Sequence, residues 1–324
     1  MRALVTGARG FAASWLARAL LESGSEVTSL DRGGASPSGL ELQGIADDVN
    51  DVVGDLRDRE LVSALLRDNA IDSVFHLAAR AIVGDAATSP IPTFQTNIEG
   101  TWVVLEACRD AGVEVVVVAS SDKAYGRHDQ LPYAEDSALQ PRFPYDVSKA
   151  ATDLIARSYW HTYRLPVAVT RFANLYGGGD RNFSRLIPET VTAVLDRRRP
   201  IIRSDGSPER DFLHVEDAAR AYLALADALA SGRAGGEAFN GGWGRPHSVR
   251  EVVELICELG AAEVQPDYQG SGTPSGEIDR QYLDSTKIGE RVGWQPRVDL
   301  REGVRRTLDW YGAHPEVRPV AAVR

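Results

Sequence analysis

A doubly wound α/β fold, with a parallel sheet and helices on both of its faces, is what this sequence predicts. Three observations carry that reading. Strand-like and helix-like runs alternate through the first half, the stretch VEVVVVAS at Val113–Ser120 is almost continuously β-branched, and a glycine turn joins the first strand to the first helix. The second half breaks this rhythm and predicts a smaller C-terminal α/β lobe.

The elements follow in order. Arg2–Val5 reads as a buried strand, Phe11–Ser23 as a helix and Glu26–Leu30 as the next strand. Asp58–Asp68 is helical in pattern, Ser73–Ala78 is a strand, and Thr93–Ala111 is a long amphipathic helix. The valines of Val113–Ala119 suit a central parallel strand buried on both sides. Tyr145–Arg164 reads as a helix and Val167–Thr170 as a strand. Beyond Asn174 the triplet Gly177–Gly178–Gly179 interrupts the chain, and Pro188 opens a helical stretch ending in Arg197–Arg198–Arg199–Pro200. Gly33–Gly39 and Gly270–Gly276 read as loops, and Pro315–Arg324 as a frayed tail. The expected division is a first domain over 1–174, with 211–240 returning to it, a lobe over 175–314 and a tail over 315–324.

Lys and Arg number 36 against 46 Asp and Glu, a net charge of −10. An acidic surface argues against nucleic acid or an anionic membrane as partner, while leaving room for a small anion held by placed arginines. No apolar run approaches the roughly 20 residues that span a bilayer. The chain starts directly on a strand, so no signal peptide is expected. Cys108 and Cys257 sit in apolar helical runs and read as reduced, buried thiols, and the location expected is the cytoplasm.

The first strand runs into Thr6-Gly7-Ala8-Arg9-Gly10-Phe11-Ala12-Ala13. Glycines here let the backbone turn tightly and approach a pyrophosphate, which the helix N-terminus then binds. This is the Rossmann-type arrangement, with Ala13 in the third small slot. Asp31 ends the second strand where an acid accepts hydrogen bonds from the ribose hydroxyls of NAD. An ordinary turn aspartate is the plainer alternative, and Arg32 beside it would instead favour the 2′-phosphate of NADP. NAD is the expected cofactor. Asp55 and Leu56, after a third strand-like run, frame the adenine.

Tyr145-Asp146-Val147-Ser148-Lys149 places a tyrosine and a lysine four apart on one helix face. The Lys149 ammonium is expected to bring the phenol down from about 10, making Tyr145 a base for a hydroxyl proton. The pair follows a long buried strand that ends in Ser120-Ser121.

With these pieces placed, the chain resembles the extended short-chain dehydrogenase/reductases, the NAD-dependent nucleotide-sugar epimerases and dehydratases. The resemblance rests on TGARGF, FHLAA at Phe75–Ala79, Asn97, SSDKAYG at Ser120–Gly126, YDVSK, RFANLYGGGD at Arg171–Asp180, ERDFLHVED at Glu209–Asp217 and EIDRQYLDSTKIGERVGWQP. It implies that Gly7, Arg9, Gly10, Phe11, Leu77, Ala78 and Ala79 meet the cofactor. Lys149 would hold the nicotinamide ribose, and Asn97 would support the helix and the cofactor site. Ser121 would hydrogen-bond the sugar hydroxyl with Tyr145. Asn174 and Arg210 would take the substrate diphosphate, and Leu186, Ile187 and Pro188 would pack near the nucleobase. A homodimer through a four-helix contact, built from Thr93–Ala111 and Tyr145–Arg164, is also implied.

Asp122 stands where 4,6-dehydratases of this family carry a general acid, and Lys123 follows it. The Asp-Lys pair, GFAASWL and NLYGGGDRNFSRLIP resemble the CDP-glucose 4,6-dehydratase branch. A base at Lys123 requires burial to lower it from about 10.4, and an acid at Asp122 requires a rise from about 3.9 that the adjacent cation opposes. A solvated pair at a strand end is the alternative. A 4,6-dehydratase is the expected activity; a 4-epimerase, and a non-catalytic dinucleotide-binding sensor or scaffold, are the competing readings. His76 is expected as a core histidine and His214 and Asp217 as structural residues. Asp211 is expected to orient Arg210, and Tyr282 to touch the nucleotide or the dimer surface. No metal-ligand spacing occurs.

Overall fold

The computed structural model describes residues 1–34, 36–261, 263–273 and 277–319. Residue 35 of the Gly33–Gly39 stretch, 274–276 of the Gly270–Gly276 stretch and the 320–324 end of the expected tail lie outside the described residues. At the centre is a seven-stranded, all-parallel sheet. Its strands are β1 (Arg2–Thr6), β2 (Glu26–Asp31), β3 (Asn50–Val53), β4 (Ser73–His76), β5 (Val115–Ala119), β6 (Val167–Phe172) and β7 (Ala238–Gly241). They lie in the order β7-β6-β5-β4-β1-β2-β3. The order reverses between β1 and β4, the switch point outside which doubly wound sheets bind their ligands.

The longer helices are α1 (Phe11–Glu22), α2 (Arg59–Asp68), α3 (Gly100–Ala111), α4 (Pro144–Tyr163), α5 (Leu186–Leu195), α6 (Val215–Ala230), α7 (Val249–Leu259) and α8 (Leu300–Ala313). Because strand side chains alternate, β1 and β5 feed two cores. Ala3, Val5, Val115 and Val117 pack with Leu16 and Leu20 of α1 and Leu225 of α6. Leu4, Val116 and Val118 pack on the opposite face with Val62 and Leu66 of α2 and Leu105 of α3. Further along the chain, α6 packs against α1 and β5, and β7 pairs in parallel with β6. A third core, with Ile187 and Val191 of α5, Val252 and Ile256 of α7 and Val304 of α8, fills the smaller lobe.

Several boundaries differ from the sequence reading. The strand expected to reach Ala78 ends at His76, and the one expected from Val113 begins at Val115. Asp58 is the N-cap of α2, accepting the Leu61 amide at 3.0 Å, and not a helical residue. The helix expected from Pro188 starts at Leu186. Gly39 is not loop; it opens the short helix Gly39–Leu42, where a Cβ would come within 2.7 Å of the Gly10 carbonyl oxygen. The long helix expected over Thr93–Ala111 carries a π turn at Gln95–Glu99, preceded by the short helix Pro90–Phe94. Such wide turns concentrate at functional sites, and this one contains Asn97.

Beneath the C-terminal ends of β5 and β6 lies a buried polar network. Arg171 reaches both carboxylate oxygens of Asp153 (2.7 and 3.0 Å), the Tyr125 hydroxyl (2.9 Å) and the Glu135 carbonyl (3.0 Å). Neither partner of the ion pair is accessible to water. Removing one leaves an uncompensated buried charge, so Asp153→Ala is expected to cost about 3–5 kcal/mol, read as a lower urea midpoint with little change in slope.

Candidate active site

A cleft of about 990 Å³ opens over the C-terminal ends of the central strands. One half is shaped by the glycine turn. Gly7 has φ +79, and a Cβ on it would lie 2.8 Å from the Ala78 Cα, so only glycine fits. Gly10 precedes α1, whose first turn carries no acidic side chain and leaves its N–H groups to an anion. Gly7, Gly10 and Phe11 line the cleft with Asp31, Arg32 and Leu56, and Leu77, Ala78 and Ala79 close the opposite wall. Asp31 accepts the Gly33 amide at 3.1 Å, and burial pushes its carboxyl up.

Three of the residues expected around the cofactor do not line the cleft. The Arg9 guanidinium is held by Asp51 on β3 (Nε at 3.0 Å, the terminal nitrogen at 2.5 Å). Asp55 is gripped by Arg57 at 2.6 Å, which holds its carboxyl down at about 2. Asn97 is buried beneath the floor, where its side chain accepts the Arg80 amide (2.8 Å) and donates to Ser148 Oγ (2.9 Å).

The other half is built from two elements. A 3-10 turn, Asp122–Tyr125, follows β5; the Ser121 hydroxyl caps it, accepting the Lys123 amide (3.2 Å) and donating to Asp122 Oδ1 (3.1 Å). The first turns of α4 bring Tyr145 and Lys149 to the same wall. Lys149 Nζ donates to the Ala119 carbonyl at 2.9 Å, and its carbonyl accepts the Ser120 hydroxyl at 2.9 Å.

Electrostatics here overturns one expectation and answers another. The phenol of Tyr145 is not lowered by Lys149. Burial pushes it up to about 12, with Arg185 and the Ser121 hydroxyl pulling partly back. Burial also brings Lys149 down to about 8. Asp122 is raised despite the neighbouring cation, because burial outweighs Lys123, and its Oδ2 is buried without a partner. Burial, then the Arg210 charge, lowers Lys123. Both members of the pair are thus moved toward their neutral forms.

The far wall carries Asn174, Leu186, Ile187, Pro188 and Arg210. Arg210 is anchored on the Glu209 and Asp279 carbonyls (2.9 and 3.2 Å) and pairs with Glu277 at 3.1 Å. Asp211 does not orient it. Its carboxylate instead accepts the Trp243 and Gly244 amides (3.1 and 3.0 Å). Tyr282 lies under the Arg280 guanidinium and does not line the cleft. His76 is held between the Thr6 and Thr101 hydroxyls (2.9 and 3.0 Å). His214 caps α6, and Asp217 accepts the Arg297 and Val298 amides at 2.9 Å. Sequence reasoning missed Asp146, Arg185, Arg203 and Glu277, all of which line the cleft. Asp146 was in view inside the Tyr-Lys motif; the others show only as isolated charges in loops. Among the described residues no group of three His, Cys, Asp or Glu side chains is placed to hold a metal.

A doubly wound sheet, a glycine turn at its switch point and a tyrosine–lysine helix beside it define an extended short-chain dehydrogenase/reductase. The chain belongs to the NAD dependent epimerase/dehydratase family, which matches residues 3–242. It is 36% identical to a dTDP-glucose 4,6-dehydratase of Streptomyces antibioticus, over 96% of this chain and 92% of that protein. The mouse dTDP-D-glucose 4,6-dehydratase is 32% identical over 96% and 88%. Among solved structures, UDP-glucose 4-epimerase of Thermotoga maritima, with UDP-glucose, superposes with a TM-score of 0.90 at 29% identity, over 97% of this chain and 100% of that one. The Streptomyces venezuelae dTDP-glucose 4,6-dehydratase DesIV, with NAD bound, gives 0.85 at 33%, over 96% and 97%. The protein is an enzyme of this nucleotide-sugar class.

The chain contains three lysines, and two of them, Lys123 and Lys149, line the cleft. Protein labelled with carbon-13 at lysine should therefore show three side-chain resonances. One is expected to titrate near pH 8 and to vanish in Lys149→Met; a Lys149 signal that titrates above pH 10 would contradict the burial described here.

Proposed function

We propose that the enzyme is an NAD-dependent nucleotide-sugar 4,6-dehydratase. The observation that carries this reading is the Asp122–Lys123 pair beside Ser121, the aspartate buried and the lysine half-buried in the cleft wall, an acid and a base each moved toward its neutral form. A 4-epimerase has no use for such a pair, because it only oxidises carbon 4 and reduces it again on the other face. The likeness to the Thermotoga maritima 4-epimerase favours that second reading.

The residues fit NAD: a glycine cradle that a Cβ would fill, a helix N-terminus free of carboxylates, and Asp31 placed for ribose hydroxyls. When bound, NAD supplies a hydride acceptor at carbon 4 and a hydride donor at carbon 6. Tyr145, as phenolate, takes the proton of the 4-hydroxyl, and Ser121 shares that hydrogen bond. The cleft charge that helps the phenol ionise is Arg185. The resulting ketone acidifies carbon 5. The Lys123 amine takes the carbon 5 proton, the freed electron pair becomes the bond between carbons 5 and 6, and the carbon 6 oxygen leaves as water with the Asp122 proton. Lys123 then returns its proton to carbon 5. The proton gained by Tyr145 balances the one Asp122 gives up. Asn174 and Arg210 hold the diphosphate, and Leu186, Ile187 and Pro188 pack the base.

We favour a CDP-glucose-like substrate, on the Asp-Lys pair and on the segments Gly10–Leu16 and Asn174–Pro188. We further propose that 1–174 with 211–240 forms the cofactor domain and 175–314 mainly the substrate lobe. The unpaired Cys108 and Cys257 support a cytoplasmic site of action, and no helix among the described residues is long and apolar enough to cross a membrane. The exposed Trp102 of α3 and Leu154 of α4, on helices that pack side by side, support a homodimer formed through a four-helix contact.

Incubation with CDP-, dTDP-, UDP- and GDP-hexoses tests the reaction. Loss of one water by mass from at least one of them is expected; retained mass with changed configuration would make the enzyme an epimerase. Asp122→Asn should slow water loss by about 10²–10⁴-fold while reduced cofactor still forms, and unchanged turnover would take Asp122 out of the mechanism. Light scattering should give a dimer for the wild type and a monomer for Leu154→Glu, with the wild-type circular dichroism retained.

A further inference from the structure

Two arginines of the cleft wall are held by carboxylates, and the two pairs are built the opposite way round. Arg185 Nη1 meets Asp180 at 2.9 Å, and there the acid is the fixed partner: its side chain is 3% exposed, against 38% for the arginine. Asp180 also accepts the Asn182 amide at 3.0 Å. Arg210 and Glu277 reverse this. The arginine side chain is 9% exposed and the glutamate 53%, and Arg210 Nη2 donates to a Glu277 carboxylate oxygen at 3.1 Å.

The Arg210 guanidinium is not able to follow a moving partner. Its Nη1 is committed to the Glu209 and Asp279 carbonyls (2.9 and 3.2 Å). The backbone behind it is pinned as well: the Glu209 amide donates to the Asp279 carbonyl at 2.8 Å, and the Asp211 amide to the Gln281 carbonyl at 3.0 Å. Ile278, the residue after Glu277, is buried and holds that end of the segment. The carboxylate has no such tether. Its one hydrogen bond among the described residues is the one to Arg210. Half of its side chain already faces water, so rotation of the side chain alone carries it into solvent. Of the two terminal nitrogens of Arg210, Nη2 is the one without a backbone partner, and it is covered by an anion that is free to leave.

We propose that Glu277 is an exchangeable counter-anion for Arg210: it occupies Nη2 until a substrate diphosphate takes that nitrogen, and it recaptures the guanidinium as the product diphosphate leaves. The inference rests on the assignment of Arg210 to the diphosphate. Two anions that meet at one nitrogen repel each other, so arrival of the ligand and departure of the carboxylate are a single event. The exchange lowers affinity, because each binding event breaks an ion pair. In return the buried cation is never left without a partner. The diphosphate, which substrate and product share, also gains a faster route out. No covalent bond forms or breaks in the exchange.

Calorimetry on the full-length protein saturated with NAD tests this, with CDP, dTDP, UDP and GDP as the probes. For whichever binds most tightly, Glu277→Gln is expected to lower Kd by about 3- to 10-fold, chiefly through slower dissociation. Glu277→Ala gives the same readout should the glutamine variant fail to fold. Arg210→Met should raise Kd by about 10- to 100-fold, and Glu277→Gln added to it should bring no gain. An unchanged or raised Kd in the folded Glu277 variant overturns the inference and leaves the carboxylate a plain anchor for Arg210. A gain that persists in the absence of Arg210 overturns it too, since the carboxylate would then act by repulsion alone. The assignment underneath fails separately. Arg210→Met that binds as the wild type does, or no binding of any of the four probes, removes Arg210 from the diphosphate and the exchange with it.

Discussion

Taking a charge out of water is the cost around which the floor of this cleft is arranged. A buried carboxylate or ammonium without full compensation adopts its neutral form. Here that constraint acts on Asp122 and Asp146 from one side and on Lys123 and Lys149 from the other. Groups that would be fixed ions at the surface are each moved toward their neutral forms. The chemistry follows from dryness as much as from residue type.

Dryness needs a wall that does not yield. Two buried polar chains supply it. One runs from Thr6 on β1 through His76 on β4 to Thr101, whose hydroxyl donates to the Asn97 carbonyl at 2.6 Å. The Thr6 hydroxyl also accepts the Ala78 amide at 3.1 Å, so the strand that leads into the glycine turn is tied to the wall it faces. The π turn lets Asn97 face Ser148 on α4, coupling the cofactor floor to the helix that carries Tyr145 and Lys149. The other chain is the Arg171–Asp153 pair, which locks α4 to β6.

Much of this was legible beforehand. Unbroken valines marked β5 as central, and the glycine turn and the Tyr-Lys spacing marked both halves of the cleft, because each depends on neighbours within a few residues. What escaped depends on distant partners. Arg9 turns away because Asp51, 42 residues on, claims it. The direction of the Tyr145 shift follows from walls contributed by several elements, not from its own helix. The lobe strands are two or three residues long, such as Ile201–Ile202 and Glu209–Arg210, too short to show a period. Gly39 looked like loop because its helix has only four residues.

Arginine carries nearly all the positive charge of this molecule, and that choice decides where outside reagents can act. Acylating or crosslinking compounds seek primary amines, and besides the Met1 amine the chain offers only Lys287, which is tied to Glu237 at 2.8 Å, and the pair in the cleft. Apart from Met1, attachment to a solid support through amines would thus meet either the cleft or a single structural contact.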